Sequence, residues 1–445
     1  MAYIAQQKTQ KSTIIIKCVC IILLAVCCGL SMLFSTDIEK ALRIGNYTAY
    51  NSNSVNVVTD GFLSVHYIDV GQGDSTFVSL PDGKTMLIDA GPSASKSNLI
   101  SYLKDDVKIE KINYLILTHA DNDHCGGMAE VLKNFEVENI YRPFQLACVA
   151  EIDDKGNTYA SEPILEEDLK YYFVDTSSVN DNITGQVTTR EYVEFIKLAY
   201  NETYIDDNGQ TQKAKVTVCH EGLKIEGSDD NEPYLIEFFA PEQSGENYLY
   251  GALCTLGVPV VYSNSNNISP IILLEYADKS FLWTGDCESE VESKFLQKIY
   301  ENLITLLRIT DVTVYKAGHH GSATSSSAEF LKVINPEYTI VSCNAEGFPD
   351  EDFIRRWEKQ MASQENNRVQ IDLLRTDKNG TIIFGINKDH NLNVCYDVEP
   401  SGIVIYWGYY ALAIFIVGTI IIFCFKPYNP IKRRLNKAKE IDTKF

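Results

Sequence analysis

Residues 118–127 read THADNDHCGG, and four of their side chains, His119, Asp121, Asp123 and His124, are of types that bind a divalent metal. Two other places carry the same chemistry: Asp286 in FLWTGD, and the pair His319-His320 in YKAGHHGS. Singly, each has a plain reading. A T-G-D is commonly a turn, an H-H-G a surface loop, a D-x-D-H a polar loop. Together they hold four of the chain's seven histidines. His66, His220 and His390 have no acidic or histidine cluster around them and read as ordinary strand or loop residues. Cys125 reads as a space-filling residue sooner than as a ligand or redox-sensitive neighbour.

The elements that must position these groups are legible in the hydrophobic pattern. His119–His124 follow the apolar run Lys111–Thr118, which reads as a central strand buried on both faces. Asp286 follows Ser280–Trp283, and His319-His320 follow Val312–Tyr315. Loops at the carboxyl ends of adjacent strands converge on one crevice, where open α/β sheets bind ligands. Gly126, Gly127, Gly285, Gly318 and Gly321 beside these groups allow tight turns.

Short strands recur from Phe62: FLSVHYID, STFVSL and TMLIDA, joined by Gly71-Gln72-Gly73 and Pro81-Asp82-Gly83. Helices are expected at Ser95–Leu103 and over MAEVLKNF. Residues 144–216 are acidic and rich in Tyr and Asn, with one helix expected at REYVEFIKLAY; they read as an insertion over the core. Whether it caps the crevice or decorates the surface is open. Strands resume at PYLIEFFA, PIILLEYA, SFLWTGD, DVTVYKAG and EYTIVSC. QIDLLRT and TIIFGI flank DKNG, which favours a tight hairpin turn. Hairpins followed by strand–helix alternation, twice over, give two sheets face to face with helices outside.

Residues 14–34 and 402–425 are apolar and long enough to cross a ~30 Å hydrocarbon layer. The second could also be a buried core helix, the first a cleaved signal peptide, but no A-x-A-like cleavage site follows it. Both outer flanks are basic, which places both termini in the cytoplasm and the middle outside the cell membrane. The expected organisation is a cytoplasmic N-terminus (1–13), a transmembrane helix (14–34), a linker (35–61), a domain (62–390), a linker (391–401), a second transmembrane helix (402–425) and a basic tail (426–445). The chain carries −21; with +3 in residues 1–17 and +5 in residues 426–445, the rest carries −29. Such a field repels polyanions. The cysteines outside the spans are scattered, with no C-x-x-C pair and no disulfide framework.

The order H-x-D-x-D-H-x-G-G, T-G-D, H-H-G-S resembles the metallo-β-lactamase-fold hydrolases. It is most similar to the extracytoplasmic hydrolase domain of ComEC-type competence (DNA-uptake) proteins. HYIDVGQGDSTFV, NNISPIILLEYADKSFLWTGDCESEVE, YKAGHHGSATSSS and RTDKNGTI carry the resemblance, which covers about 62–385. It implies an α/β four-layer αββα sandwich and two adjacent divalent metal ions, Zn²⁺ or Mn²⁺. Asp123, His124 and His319 would hold one, His119 and Asp121 the other, and Asp286 would bridge them. Asp89 in LIDAG would orient a ligand from behind. Asp69 and Asp74 would organise the adjoining turn. Asp123 and His320 are the candidate catalytic residues, with His320 contacting a substrate oxygen or acting as an acid. Three gathered carboxylates favour two cations over one, and a hydroxide bridging them would attack phosphorus or a carbonyl.

The chain departs from the pattern in three ways. A further histidine that many relatives place before T-G-D is not evident; Asn266 and Asn267 stand there instead, as amide donors of oxygen or as loop caps. Gly347-Phe348-Pro349 replaces a common G-H-P. Two spans cannot line a DNA pore, so no DNA transport is expected. The expected function is a membrane-anchored, metal-dependent phosphodiesterase or nuclease acting on a phosphoester, DNA included. The alternatives are a hydrolase of small or cell-surface phosphoesters or lactones, and a non-catalytic binding module that keeps the fold.

Overall fold

In the computed structural model, strand Lys111–Ile116 shows how this sequence builds layers. Its continuous apolar run sends Leu115 and Leu117 to one side and Tyr114 and Ile116 to the other, each into a hydrophobic core. A strand buried on both faces needs a layer on either side.

The structure describes residue 21 and, within 63–396, all residues but 144, 149, 153–157, 162–163, 167–187, 229–231, 242–247, 250–251, 256–257, 262–264, 345–346, 364–371 and 388. The chain divides into two units, Met1–Thr48 with Glu399–Phe445, and Ala49–Val398. The expected spans 14–34 and 402–425 lie outside the described residues, apart from Ile21. No helix among the described residues is long and apolar enough to cross a membrane.

Fifteen strands make the two large sheets of the second unit. The first sheet runs β1 (Leu63–Tyr67), β2 (Thr76–Ser79), β3 (Thr85–Ile88), β4 (Lys111–Ile116), β5 (Glu136–Arg142) and β6 (Lys215–Val218), in the order β6-β5-β4-β3-β2-β1, with two later strands beyond β1. The second holds β7 (Lys224–Ser228), β8 (Pro233–Phe238), β9 (Ile272–Tyr276), β10 (Lys279–Trp283), β11 (Val314–Lys316), β12 (Tyr338–Val341) and β13 (Asp372–Arg375), in chain order. β14 (Ile382–Ile386) and β15 (Leu392–Tyr396) return to the first sheet. Each sheet starts antiparallel and turns parallel, at β3–β4 in one and at β10–β11 in the other.

Tyr67, Ile88, Ile116, Phe281, Trp283 and Phe384 are buried between the sheets. Helices α1 (Lys96–Ser101), α2 (Asn122–Cys125), α3 (Met128–Asn134) and α4 (Arg190–Ala199) follow strands of the first sheet. Helices α5 (Ser289–Tyr300), α6 (Leu303–Ile309), α7 (Ala328–Ile334) and α8 (Glu351–Ser363) follow strands of the second. Each group covers its own outer core, so the fold is the four-layer α/β sandwich.

Three boundaries differ from the sequence expectation. Part of 144–216 belongs to the domain itself. Helix α4 buries Tyr192, Phe195 and Ile196 in the first outer core, and β6 pairs with β5 at the sheet edge. Its apolar positions recur at helical spacing, which a surface insertion does not require. The DKNG stretch is no hairpin: Thr376–Asn379 form a helical turn between β13 and β14, which lie in different sheets. Asn379 Oδ1 accepts from the Arg375 amide at 2.9 Å, closing that turn locally. Finally, residues 391–401, expected as a linker, begin with strand β15, which Val394 and Tyr396 pack against the core.

Candidate metal centre

The centre starts behind its ligands, at Asp89. This residue follows β3 in a left-handed conformation (φ 58°), so its carboxylate turns back toward β4. It accepts from the Thr118 amide at 2.8 Å, the Thr118 hydroxyl at 2.7 Å and His124 Nδ1 at 2.7 Å. Thr118 Oγ1 gives its proton to Asp89, so it accepts from His119 Nδ1, 3.1 Å away. His320 Nδ1 lies 2.9 Å from the Ser342 carbonyl, which can only accept. All three rings thus commit Nδ1–H to the scaffold and turn Nε2 to the centre, the nitrogen that binds a metal once it is unprotonated.

Those Nε2 atoms meet at Asp286. His124 Nε2 is 3.2 Å from Asp286 Oδ1, His320 Nε2 3.4 Å from Oδ2, and His119 Nε2 4.0 Å from Oδ2. Asp123 Oδ2 stands 3.1 Å from His320 Nε2, and Asp121 Oδ2 3.7 Å from His119 Nε2. His119 Nε2, His124 Nε2 and Asp286 Oδ1 are buried without a hydrogen-bond partner among the described residues. Buried polar atoms left unpaired are costly, and three facing one another call for a cation between them. The donor set fits a divalent metal.

Electrostatics shows the same demand. Burial disfavours a charged His320, yet Asp286 and Asp74 outweigh it and push the ring up to about 9. Burial is likewise outweighed at His124, which Asp286 and Asp89 hold well above the usual imidazole range. Burial would raise Asp286, but His124 and His320 keep it well below the carboxylate range. Asp123 is lowered to about 2, burial being outweighed by the His320 hydrogen bond and by His124. His119 is lowered, by burial first and His124 second. Protons on His124 and His320 balance the carboxylates, and a bound cation displaces them.

Asp74 also lies in this group: Asp74, His124, Asp286 and His320 each offer an atom within 4.8 Å of the others. Its oxygens reach the Nδ1 sides, 3.3 Å from His320 and 3.9 Å from His124. It therefore backs the imidazoles, and its charge is taken up by the buried ammonium of Lys316. The pairing of Lys316 with Asp74 is a feature that sequence reading missed. A lysine inside the apolar strand VTVYK was the signal, because a buried ammonium needs a carboxylate.

His319, expected as a ligand, has its Nε2 3.8 Å from Asp286 Oδ2, as near as His119, and its Nδ1 3.8 Å from Glu288 Oε1, with its side chain 23 % exposed at the rim. His320, expected to handle substrate, fills the gap between Asp123 and Asp286. Asn267 Oδ1 caps the Glu288 amide at 3.0 Å, and so holds the loop. Asp69 Oδ1 accepts from the Gly71 amide at 3.1 Å and shapes that turn. Ser265 Oγ lies 3.3 Å from Asp121 Oδ1 and Asn266 Nδ2 3.5 Å from His319 Nδ1, so both stand beside the centre ahead of the T-G-D strand. Cys125 is packed in the first outer core.

Close backbone contacts lock these loops together. The Asp74 amide donates to the Asp123 carbonyl at 3.0 Å, and a Cβ on Gly73 would lie 2.3 Å from that oxygen. His319 and His320 both adopt left-handed backbone (φ 48° and 53°), which is strained for residues with a Cβ. The loop after them is clamped from both sides. Arg356 donates to the carbonyls of Ser322, Ala323, Ser325 and Ser326, while Glu292 accepts from the amides of Ser326 and Ser327.

Residues 68–160 match the metallo-beta-lactamase superfamily. It is 25% identical to ComE operon protein 3 of Bacillus subtilis (strain 168) over 340 residues, 72% of this chain and 32% of that protein. It is 24% identical to Competence protein ComA of Neisseria gonorrhoeae over 377 residues, 83% of this chain and 39% of that one. The chain thus spans about a third of the length of these curated relatives. Among solved structures, Rm3 metallo-beta-lactamase is 13% identical, covers 57% of this chain and 75% of its own, and overlaps loosely at a TM-score of 0.28. Matches to competence proteins agree with the resemblance carried by the sequence blocks.

Proposed function

We propose that the chain is a membrane-anchored, metal-dependent phosphodiesterase of the nuclease type, with its active site outside the cell membrane. One observation carries the reading: three imidazole Nε2 atoms and the carboxylates of Asp121, Asp123 and Asp286 converge, and buried members of the set lack partners. In this reading His119, His124, His320, Asp121, Asp123 and Asp286 hold two divalent ions, Zn²⁺ or Mn²⁺. Bound metal supplies a nucleophile at neutral pH and stabilises charge on the phosphoryl oxygens.

The chain's own residues do the rest. Asp89 and the Ser342 carbonyl keep His124 and His320 in the ligating tautomer. In this reading His319, whose Nδ1 lies 3.8 Å from Glu288 Oε1 at the rim, gives a proton to the substrate's leaving oxygen. The resemblance to DNA-uptake proteins, with which the likeness to Competence protein ComA agrees, supports DNA as the substrate.

A second reading changes only the substrate. Asp121 is 47 % exposed and Asp123 33 % exposed at the mouth, and Phe348 stands 5.8 Å from the His319 ring. An acidic, partly apolar mouth on a chain of charge −21 favours a small phosphoester or a lactone over a long polyanion.

The test is to purify the full chain, measure its metal content, and assay single-stranded DNA and a chromogenic phosphodiester with added Mn²⁺ or Zn²⁺. Wild-type activity that disappears in Asp123→Ala and Asp286→Ala supports the reading. Equal activity in those variants overturns it. Absence of bound metal would favour a binding module.

A further inference from the structure

Phe348 stands at the mouth of the centre. Its ring centroid lies 5.8 Å from that of His319 and 5.9 Å from that of His320. The ring is tilted 33° to the first imidazole and set edge-on, at 64°, to the second. It rests on the second outer core and keeps part of its surface in solvent. A group that enters beside His319 therefore meets this ring.

The loop that carries Phe348 is held at both ends. Before it, the Ser342 carbonyl accepts from His320 Nδ1 at 2.9 Å, and the Asn344 amide donates to Gln72 Oε1 at 3.4 Å. After it, the Asp350 amide donates to the Gly321 carbonyl at 2.9 Å, and Asp350 Oδ2 accepts from the Ala323 amide at 2.6 Å. A Cβ on Gly321 would lie 2.7 Å from Pro349 Cβ, so the two loops meet with no room between them. Phe348 is thus set in place by the scaffold, and a preset ring gives up little freedom when a ligand covers it.

The charged side chains at this mouth are acidic. Asp121, Asp123 and Glu288 are 47 %, 33 % and 23 % exposed. Such a rim disfavours a second anionic group beside the scissile one, while Phe348 offers a flat apolar surface. A neutral planar ring can stack on that surface; an aliphatic group of the same bulk gains only from leaving water. We infer that Phe348 sets specificity by receiving a planar aromatic ring, a nucleobase or an aryl group, that the substrate carries next to its scissile phosphoester. The inference rests on the phosphodiesterase reading and names the flanking group that the site selects.

The test uses the full chain supplied with Mn²⁺ and three phosphodiesters that share p-nitrophenolate as leaving group. The other substituent is phenyl, cyclohexyl or thymidine. KM for the phenyl and thymidine esters should lie about five- to tenfold below that for the cyclohexyl ester. In Phe348→Leu, which keeps apolar bulk without a ring, the three KM values should converge while metal content is unchanged. Phe348→Tyr should keep the difference. A gain confined to the thymidine ester assigns a nucleobase site, and one confined to the phenyl ester an aryl site; either supports the inference. The same KM pattern in wild type and Phe348→Leu overturns it and leaves the phosphodiesterase reading standing. Loss of metal from Phe348→Leu would make the ring a packing residue of the centre and overturn it as well. No hydrolysis of any ester by the metal-loaded wild type overturns the phosphodiesterase reading, and this inference with it.

Discussion

Asp89 Oδ2 and His124 Nδ1 stand 2.7 Å apart, both fully enclosed, and this one hydrogen bond decides which nitrogen of His124 faces Asp286. The carboxylate accepts a hydrogen bond from Nδ1–H and so turns the Nε2 lone pair toward the centre. Replacement of Asp89 by Asn keeps the shape and tolerates the left-handed backbone. It also places an amide donor against the ring. Asp89→Asn should weaken metal binding about ten- to a hundredfold with little change in far-UV circular dichroism. Competition titration against a fluorescent chelator would show it, and unchanged affinity would refute the orienting role.

His320 and His319 should separate cleanly. His320→Ala removes a ring lodged between Asp123 and Asp286 and should lower metal content in elemental analysis. His319→Ala changes a rim residue and should keep the metal while slowing turnover. The opposite pattern would restore His319 as the ligand.

The protons on His124 and His320 give metal binding a definite pH dependence. Both rings are raised by their carboxylates, His320 to about 9. A metal takes the lone pair that the proton occupies, so binding releases protons. Apparent affinity should rise with pH up to about 9 and fall in acid, at roughly one to two powers of ten per pH unit between pH 6 and 8. Isothermal titration in buffers of different ionisation heat would count the protons. A flat profile would show that the rings are already neutral.

Lys316 and Asp74 form an ion pair beneath the imidazoles, with both side chains almost wholly buried. Truncation of one partner strands the other charge. Lys316→Ala should cost about 3–5 kcal/mol, and the double variant Lys316→Met/Asp74→Asn should recover most of it. Urea denaturation of the wild type and the two variants measures this directly. A single-variant loss below about 1 kcal/mol would mean that water reaches the pair.

Much of this was readable beforehand because it depends on local pattern. The strand before THADNDHCGG, the T-G-D loop and the H-H-G-S loop lie where hydrophobic period and glycine spacing put them. What the sequence could not settle depends on backbone angles and on contacts far apart in the chain. Which of His319 and His320 faces inward depends on two consecutive left-handed residues, held by Arg356 from α8 and Glu292 from α5. The meeting of Asp74 and Lys316 joins residues 242 positions apart, and no periodicity encodes it. The DKNG turn misled because Asn-Gly scores as a hairpin by itself, whereas the partner strands of β13 and β14 were already fixed in separate sheets.

The loops that carry His119 and His124 leave the first sheet, and those that carry Asp286 and His320 leave the second. A metal ion held by all four is therefore a rivet through both halves of the sandwich. Neither half alone can bind it with full strength, so the binding free energy is added to the cohesion of the two sheets. Chelation should loosen the seam between them before it melts either one, and amides in β4 and β11 should be the first core positions to exchange with solvent.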